Sequence, residues 1–537
     1  MNDYDVVIVG GGLVGASLAV ALAKGGRLRV ALIEAARPPA PARDTASATV
    51  DAAASRGAST EPCCANPPAS LAAADLRSDT VSRPARDAVT ATVDAAASRG
   101  ASTEPCCASP PASPAPTDLR SDTVSRPARD AASATVDAAA SRGASTEPCC
   151  ASPPASPAPT DLRSDTVSRP GWDERCIALN DASVRIFTAL GLWDRLRPQA
   201  EPILATHVSE RGRFGVLRIT AAELGLPALG YNVPLRAIGA QLWRELENTC
   251  ETLVPARVVG VQPAAAAVTI DVETDCGRRR LRTRLLAAAD GAASSVRSLL
   301  GIAAETRDYG QQAIVSAVQL SRPHRGVAYE RFTVDGPLAL IPKPLAASGA
   351  WRLDAAASLV WTQPAALAEQ RLRQPESDYL HAAQQAFGER LGRFRALGRR
   401  WTYPLARVLA ESVVEATRAP RVVLLGNAAQ SLHPVAAQGF NLGLRDVAAL
   451  AQRVAGAGDP GAGELLQDYA AGRRTDRRAV AELTDLMVRA FSNRLPGLAQ
   501  VRHWSLLGIG LLPPLRGRVA RQHLGYLGLP LAAAPEI

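Results

Sequence analysis

Gly10, Gly12 and Gly15 are the first residues whose type and spacing imply chemistry. They follow the β-branched run Asp5-Val6-Val7-Ile8-Val9, and the text ASLAVALAKGG comes after them. A tight turn at Gly10, close backbone approach to a pyrophosphate at Gly12 and close helix–strand packing at Gly15 are what a G-x-G-x-x-G turn supplies. The helix it opens presents free N–H groups and a positive dipole end to phosphate. Glu34 ends the next apolar run, Leu28 to Ile33, where a carboxylate can accept from ribose hydroxyls. The unit reads strand, helix, strand, and predicts an adenine-dinucleotide site. By itself it does not separate FAD from NAD.

Two later stretches repeat the pattern of an apolar run ending in small polar residues. LLAAADGAASSVR brings Asp290-Gly291 to a strand end, and RVVLLGNAAQSLHPVAAQGFNLGLRDV brings Gly426-Asn427 to another. A glycine-rich loop then leads into a helix starting near Asn441. Strand ends of this kind are where ligands sit in α/β sheets. Taken alone, Asp290-Gly291 is also an ordinary turn.

The three elements together resemble the class A FAD-dependent aromatic hydroxylases, and within them the ubiquinone-biosynthesis hydroxylase family. DERCIALNDASVRIFTALGLW, HVSERGRFG, DYGQQAIV, AYERFTVDGPLALIP and LVWT extend the likeness over residues 1–36 and about 172–527. The resemblance implies that Gly10, Gly12, Gly15 and Glu34 hold the ADP half of FAD. It gives Asp290 and Gly291 to a motif serving FAD and NAD(P)H, and Gly426 and Asn427 to the ribityl chain. Pro434, Gly439, Phe440 and Asn441 would line the flavin ring, with Arg175 near it. His433 and Gln438 are the candidate catalytic side chains, His433 having a structural reading as a loop-bonding residue. The implied reaction uses NAD(P)H and O₂, through a flavin C4a-hydroperoxide, to hydroxylate a prenylated methoxyphenol ring. The finer likeness is to the branch with Asn and Gln in the text GNAAQ. Alternatives are a sister hydroxylase acting at another ring position or on another phenol, and an FAD-binding but catalytically impaired chain. Two departures from the family pattern stand out: Ala437 replaces a loop glycine, and Asn427 replaces an acid.

The elements that must position these groups imply a Rossmann-like α/β FAD-binding domain, an antiparallel-sheet substrate domain and C-terminal helices. The boundaries expected are 1–42, 172–200, 226–300 and 405–452 for the FAD-binding domain. Residues 201–225 and 301–404 form the substrate sheet, and 453–537 the helical end. Alternating stretches such as THVSERG, GVLRIT, AIVSAVQL and ASLVWT carry the sheet prediction. Tyr329, Phe332, Pro337 and Leu338 are candidates for pocket wall or sheet core. Val480, Leu483, Met487 and Phe491 form an expected helical packing stripe, preceded by Arg473, Arg474, Arg477 and Arg478.

Residues 43–171 interrupt this plan with three copies of a 43-residue unit sharing ATVDAAASRGASTEPCCA and DLRSDTVSRP. The segment has no Phe, Tyr or Trp and holds six of the nine cysteines. Its apolar residues are mostly Ala, too small to offset about 1–2 kcal/mol of backbone entropy per residue, so disorder is expected. An interaction module is the other reading. The pairs Cys63-Cys64, Cys106-Cys107 and Cys149-Cys150 lack metal-ligand spacing, and no metal site is expected.

Net charge is +9, and the repeats carry 12 Arg against 15 Asp and Glu, so the other 408 residues hold +12. That excess suits a phosphate-bearing cofactor or anionic lipid; no motif points to nucleic acid. WSLLGIGLLPPL is too short to span a bilayer. A cytoplasmic location is expected, with peripheral contact at the inner face of a bacterial inner membrane. The partners expected are the prenylated phenol, O₂ and other ubiquinone-biosynthesis proteins.

Overall fold

The computed structural model describes residues 2–36, 175–344, 355–415, 420–491 and 498–526. The triplicated segment, its reading as disordered or as an interaction module, and its cysteine pairs lie outside the described residues. So does the part of the helical end beyond 526.

The first sheet grows from the opening run. Asn2–Val9 pairs in parallel with Val30–Ile33 on one side and Gly277–Ala288 on the other. Glu251–Leu253 extends it beyond Val30–Ile33, and Val422–Leu424 adds in parallel to Gly277–Ala288. Val268–Thr274 and Ala256–Pro263 continue it antiparallel. Its central strands are apolar on both faces because both are covered. The helix Leu13–Ala23 is apolar nearly all round for the same reason. It lies against the sheet and packs on the helix Gln438–Val454.

The second sheet runs in the order Gln430–Ser431, Trp401–Ala410, Ala304–Leu320, Ala356–Pro364, Gly336–Pro342, Val327–Thr333, Ala205–Glu210 and Val216–Thr220, with Phe394–Leu397 beside Ala304–Leu320. It is antiparallel except for one parallel pair, Val327–Thr333 with Ala205–Glu210. Three strands, Cys176–Asn180, Gly230–Pro234 and Glu201–Ile203, form a small third sheet. Two expected boundaries therefore move. Residues 201–203 pair in the small sheet, and the substrate sheet runs past 404 to Ala410 and takes in 430–431.

Alternation along these strands sorts side chains between two faces. Ile314, Leu338, Leu340, Leu359 and Trp361 turn to one face, where they pack with Tyr379 and Phe387 of the helix Glu376–Phe387. Pro337, Ala339, Ile341, Val360 and Ala313 turn to the other. This splits the four pocket candidates. Pro337 lines the cavity, while Leu338 belongs to the helix-covered core. Tyr329 borders the cavity, but its ring meets His207 at a tilt (centroids 5.3 Å) and Phe387 edge to face (5.6 Å) on the far face. Phe332 is buried.

The long helix Gly463–Phe491 also departs from its expected stripe. Leu466, Tyr469, Arg473, Arg477, Val480, Ala481, Thr484 and Val488 are buried, while Leu483 faces solvent. The inward face thus includes two arginines, whose partners are described below. Leu498–Leu511 and Pro513–His523 complete the helical end. Among the described residues no helix is long and apolar enough to cross a membrane.

Candidate functional site

The glycine turn divides its labour. A Cβ on Gly15 would sit 1.9 Å from the Gly10 carbonyl oxygen, and Gly10 has φ +102° with its own Cβ direction blocked by Ala289. Both are required by the fold. Gly12 differs: its φ of −63° suits any residue and nothing lies within 4 Å of its Cβ direction. The space it leaves open lies before the N-terminus of Leu13–Ala23, where the first N–H groups have no intrahelical acceptors. Glu34 reaches this turn from the end of Val30–Ile33, accepting from the Gly11 N–H (2.5 Å) and the Ala36 N–H (3.0 Å).

Asp290 follows the strand next to the turn. Its Oδ2 accepts from Val296 N (3.1 Å) and Ser295 Oγ (3.0 Å) in the first turn of the short helix Ser295–Leu299, whose N-cap is Ser294. Its Oδ1 is buried without a protein partner. Gly291, at φ +90°, makes the turn away from the strand. Arg297 then bonds the Ala292 carbonyl (2.7 Å) and the Ala428 carbonyl (2.9 Å), tying this loop to the one that begins at Gly426-Asn427. Gly426 has φ +53°, and a Cβ there would press on Val14. Gly443 of the helix Gln438–Val454 meets the same Val14 and Gly426, so three distant motifs converge through small residues.

A cavity of about 470 Å³ opens beside them. Asn427, Pro434, Gln438, Gly439, Phe440 and Asn441 border it from the loop side, together with Cys176–Asn180. The alanine- and valine-rich face of the substrate sheet closes it opposite. Asn441 is committed to the scaffold. Its Oδ1 accepts from Asn180 N (3.1 Å) and Ser183 Oγ (2.6 Å), and its Nδ2 donates to the Ala178 and Ala437 carbonyls. Arg175 lies at the border: its guanidinium stacks on Trp401 (4.6 Å) and donates to the hydroxyl of Tyr403, which lines the cavity.

His433 is turned into the loop. Its Nδ1 accepts from Val435 N (3.2 Å) and its ring meets Tyr309 edge to face. It is absent from the cavity wall, whereas Gln438 is part of it. Burial pushes the His433 imidazole down to about 4. The folded state therefore keeps it neutral, while the unfolded chain protonates near 6.5. The stability this confers is full above about pH 6.5 and is lost as pH falls toward 4, by up to about 3 kcal/mol. Chemical denaturation at pH 7.5 and 4.5 checks this. His433→Asn flattens the difference; an unchanged pH dependence in that variant rejects the assignment.

Ala437 takes φ +49°, the left-handed region that its replacement of a glycine brings into question. Alanine there costs about 1–2 kcal/mol. Because glycine is freer in the unfolded chain, Ala437→Gly stabilises by a net of about 0.5–1 kcal/mol. A higher Tm for that variant without added cofactor is the expected result, and a lower one contradicts the strain.

Sequence reasoning missed several residues of this wall. His523, Tyr403, Cys176 and Asn180 border the cavity from strands and helices far apart in the chain. Burial lowers the His523 pKa. Only the order of the sheet and the return of the last helix bring these residues together. Among the described residues no cluster of His, Cys, Asp or Glu is arranged to hold a metal.

The open space at Gly12, the partnerless Asp290 Oδ1 and the convergence at Val14 fit an adenine dinucleotide. Known proteins agree. An FAD-binding-domain family model matches residues 162–484, and an FAD-dependent oxidoreductase model matches residues 5–88. Ubiquinone hydroxylase UbiL of Rhodospirillum rubrum is 36% identical, over 66% of this chain and 80% of its own length. The 3-demethoxyubiquinol 3-hydroxylase of Escherichia coli is 32% identical, over 66% of this chain and 87% of its own. The p-nitrophenol 4-monooxygenase PnpA of Pseudomonas putida shares the fold, at TM-score 0.59 and 14% identity, over 98% of this chain and 97% of that one. The chain belongs to the FAD-dependent aromatic monooxygenases, in the family of ubiquinone-biosynthesis hydroxylases.

Proposed function

We propose that the chain hydroxylates a prenylated methoxyphenol ring of ubiquinone biosynthesis with NAD(P)H and O₂. The observation that carries this reading is the cavity wall. Ala313, Val315, Ala328, Ala339, Ile341 and Val360 make a smooth apolar surface opposite the loop that carries Asn427 and Gln438. A volume of about 470 Å³ falls in the usual range of small-molecule sites. Small side chains on the sheet leave length for a prenyl chain, and polar groups gather where the ring would lie.

FAD, when bound, supplies reduction by NAD(P)H and activation of O₂. The residues present have the remaining tasks. Gly10, Gly12, Gly15 and Glu34 hold the ADP half, and Asp290 offers its partnerless Oδ1 to the cofactor. Asn427 hydrogen-bonds the ribityl chain without adding charge. Pro434, Gly439 and Phe440 wall the flavin ring, with Asn441 pinning their loop to Cys176–Asn180. Gln438 and Tyr403 orient the phenol. The apolar sheet excludes water.

The test uses the purified flavoprotein. A polyprenyl-methoxyphenol is expected to stimulate NADPH or NADH oxidation at least about 10-fold and to gain one oxygen by mass spectrometry. A demethoxyquinol hydroxylated in preference would select a sister activity at another ring position. Equal stimulation by unprenylated phenols would overturn the tail-binding reading. A yellow protein with no stimulated oxidation would mark an impaired enzyme.

A further inference from the structure

Five arginines gather at one end of the substrate sheet. Arg211 and Arg213 lie in the turn between Ala205–Glu210 and Val216–Thr220. Arg218 stands opposite His207 on the edge strand, and Arg331 lies on the neighbouring strand Val327–Thr333. Arg390 reaches His207 Nε2 at 3.0 Å. Among the described residues none of the five forms an ion pair. Glu210 and Glu330, the nearest acids in these strands, fall by alternation on the cavity side of the sheet. The crowding is felt locally. Burial, then Arg390 and Arg211, lowers the Arg331 pKa, and burial, then Arg390, brings His207 down to about 4.

The same end of the sheet carries apolar side chains pointed at solvent. Phe214, between the two strands of the arginine turn, is 94% exposed, and Val334 is 74% exposed. They are neighbours by strand pairing: Arg211 N donates to the Phe332 carbonyl (2.9 Å), which joins the two turns. The corner between Leu498–Leu511 and Pro513–His523 lies alongside. A Cβ on Gly510 would come within 3.2 Å of the Val216 carbonyl, and Leu511 beyond it is 70% exposed. Leu512 and Leu515 follow it into solvent.

We propose that this end of the sheet is a docking surface for an anionic phospholipid bilayer, with Phe214, Val334 and Leu511 entering the interface and the five arginines meeting lipid phosphates. Protruding apolar residues beside cations without ion pairs have the charge and polarity of a membrane interface, not of a folded acidic partner, which would need matching concavity. Arginine stems run along the apolar boundary while their guanidinium groups stay at headgroup level. The surface also adjoins the cavity. Pro513–His523 supplies Leu515 to the exposed corner and His523 to the cavity wall, so a membrane-dissolved substrate would meet the protein beside its site. This last link rests on the proposed substrate; the docking does not.

The test is co-sedimentation of the full-length flavoprotein with vesicles. Vesicles of phosphatidylglycerol and phosphatidylcholine are compared with phosphatidylcholine alone. Binding to the anionic vesicles is expected and should weaken as salt rises. Arg211→Gln/Arg218→Gln and, separately, Phe214→Ser/Val334→Ser should each lower partitioning at least 10-fold with flavin content unchanged. Arg257→Gln, a change on an exposed strand of the first sheet, should not. No binding to anionic vesicles overturns the proposal, as does equal loss in Arg257→Gln or undiminished binding by both double variants. Turnover of a short-chain soluble phenol by Phe214→Ser/Val334→Ser separates loss of docking from failure of the proposed chemistry.

Discussion

Gly12→Ala leaves the protein folded but strips it of flavin, whereas Gly15→Ala damages the fold itself. Both belong to one motif, so their divergence isolates ligand from scaffold. A methyl group on Gly12 meets no atom within 4 Å and needs no change of backbone. Its cost to the apoprotein is within about 0.5 kcal/mol. It fills the space where phosphate must approach the first turn of Leu13–Ala23. Flavin occupancy should fall at least about 10-fold, equivalent to about 1.4 kcal/mol of affinity. A methyl group on Gly15 would come 1.9 Å from the Gly10 oxygen, a backbone atom that cannot rotate away. Separating that helix and strand costs about 3 kcal/mol or more. The measurements are Tm of the cofactor-free proteins and the ratio of flavin to protein absorbance after reconstitution. Cofactor-free protein is essential, because bound ligand raises Tm by mass action. Equal Tm losses in the two variants would show that Gly12 is also structural.

The second large effect is expected at Asp446, far from any exposed surface. Its Oδ1 accepts from Arg473 Nε (2.8 Å) and its Oδ2 from Gln430 Nε2 (2.6 Å). Arg473 also pairs with Asp476 (2.8 Å), which holds Arg445 (2.9 Å). Arg477 bonds Gln430 and the Ala429 carbonyl, so the network joins the Gly463–Phe491 helix to the segment just after Gly426-Asn427. The neighbouring carboxylates Asp446 and Asp476 hold the Arg473 guanidinium above its ordinary pKa against the opposing effect of burial. Asp446→Ala leaves a buried guanidinium with one acid and removes the acceptor of Gln430 Nε2, at a cost of about 3–5 kcal/mol. The double variant Asp446→Leu/Arg473→Met removes both charges and should recover more than half of that loss. Urea denaturation with unchanged m-values measures both. If Asp446→Ala costs less than about 1 kcal/mol, the network is not a structural tie. Weaker flavin binding should accompany the loss, because the network supports the loop that carries Asn427.

Much of this site was legible in the chain. G-x-G-x-x-G after a β-branched run has one compact solution, a strand–turn–helix whose first and last glycines are forced by backbone contact. Asp290-Gly291 and Gly426-Asn427 were also legible, because each ends an apolar strand. Those positions come from local rules that act over a few residues. Ala437 is a special case: its residue type conflicts with the left-handed backbone, and the conflict was visible from the replaced glycine before the angle was known.

Local periodicity did not reach further. Alternation marked the strands of Tyr329, Phe332, Pro337 and Leu338 but did not assign each side chain to cavity or core, since both faces of the substrate sheet are covered. The buried face of Gly463–Phe491 differs from the expected stripe because Arg473 and Arg477 turn inward, where Asp446 and Gln430 from another segment accept their hydrogen bonds. His523 and Tyr403 reach the cavity across hundreds of residues, through the sheet order and the return of the last helix. The arginines beside Phe214 needed three chain segments to meet at one edge. The sequence by itself determined the cofactor turn, the family and the kinds of element, because those depend on neighbours in the chain. The tertiary structure decided the cavity wall, the buried ion network and the charged apolar edge, because each is made by side chains whose only proximity is in space.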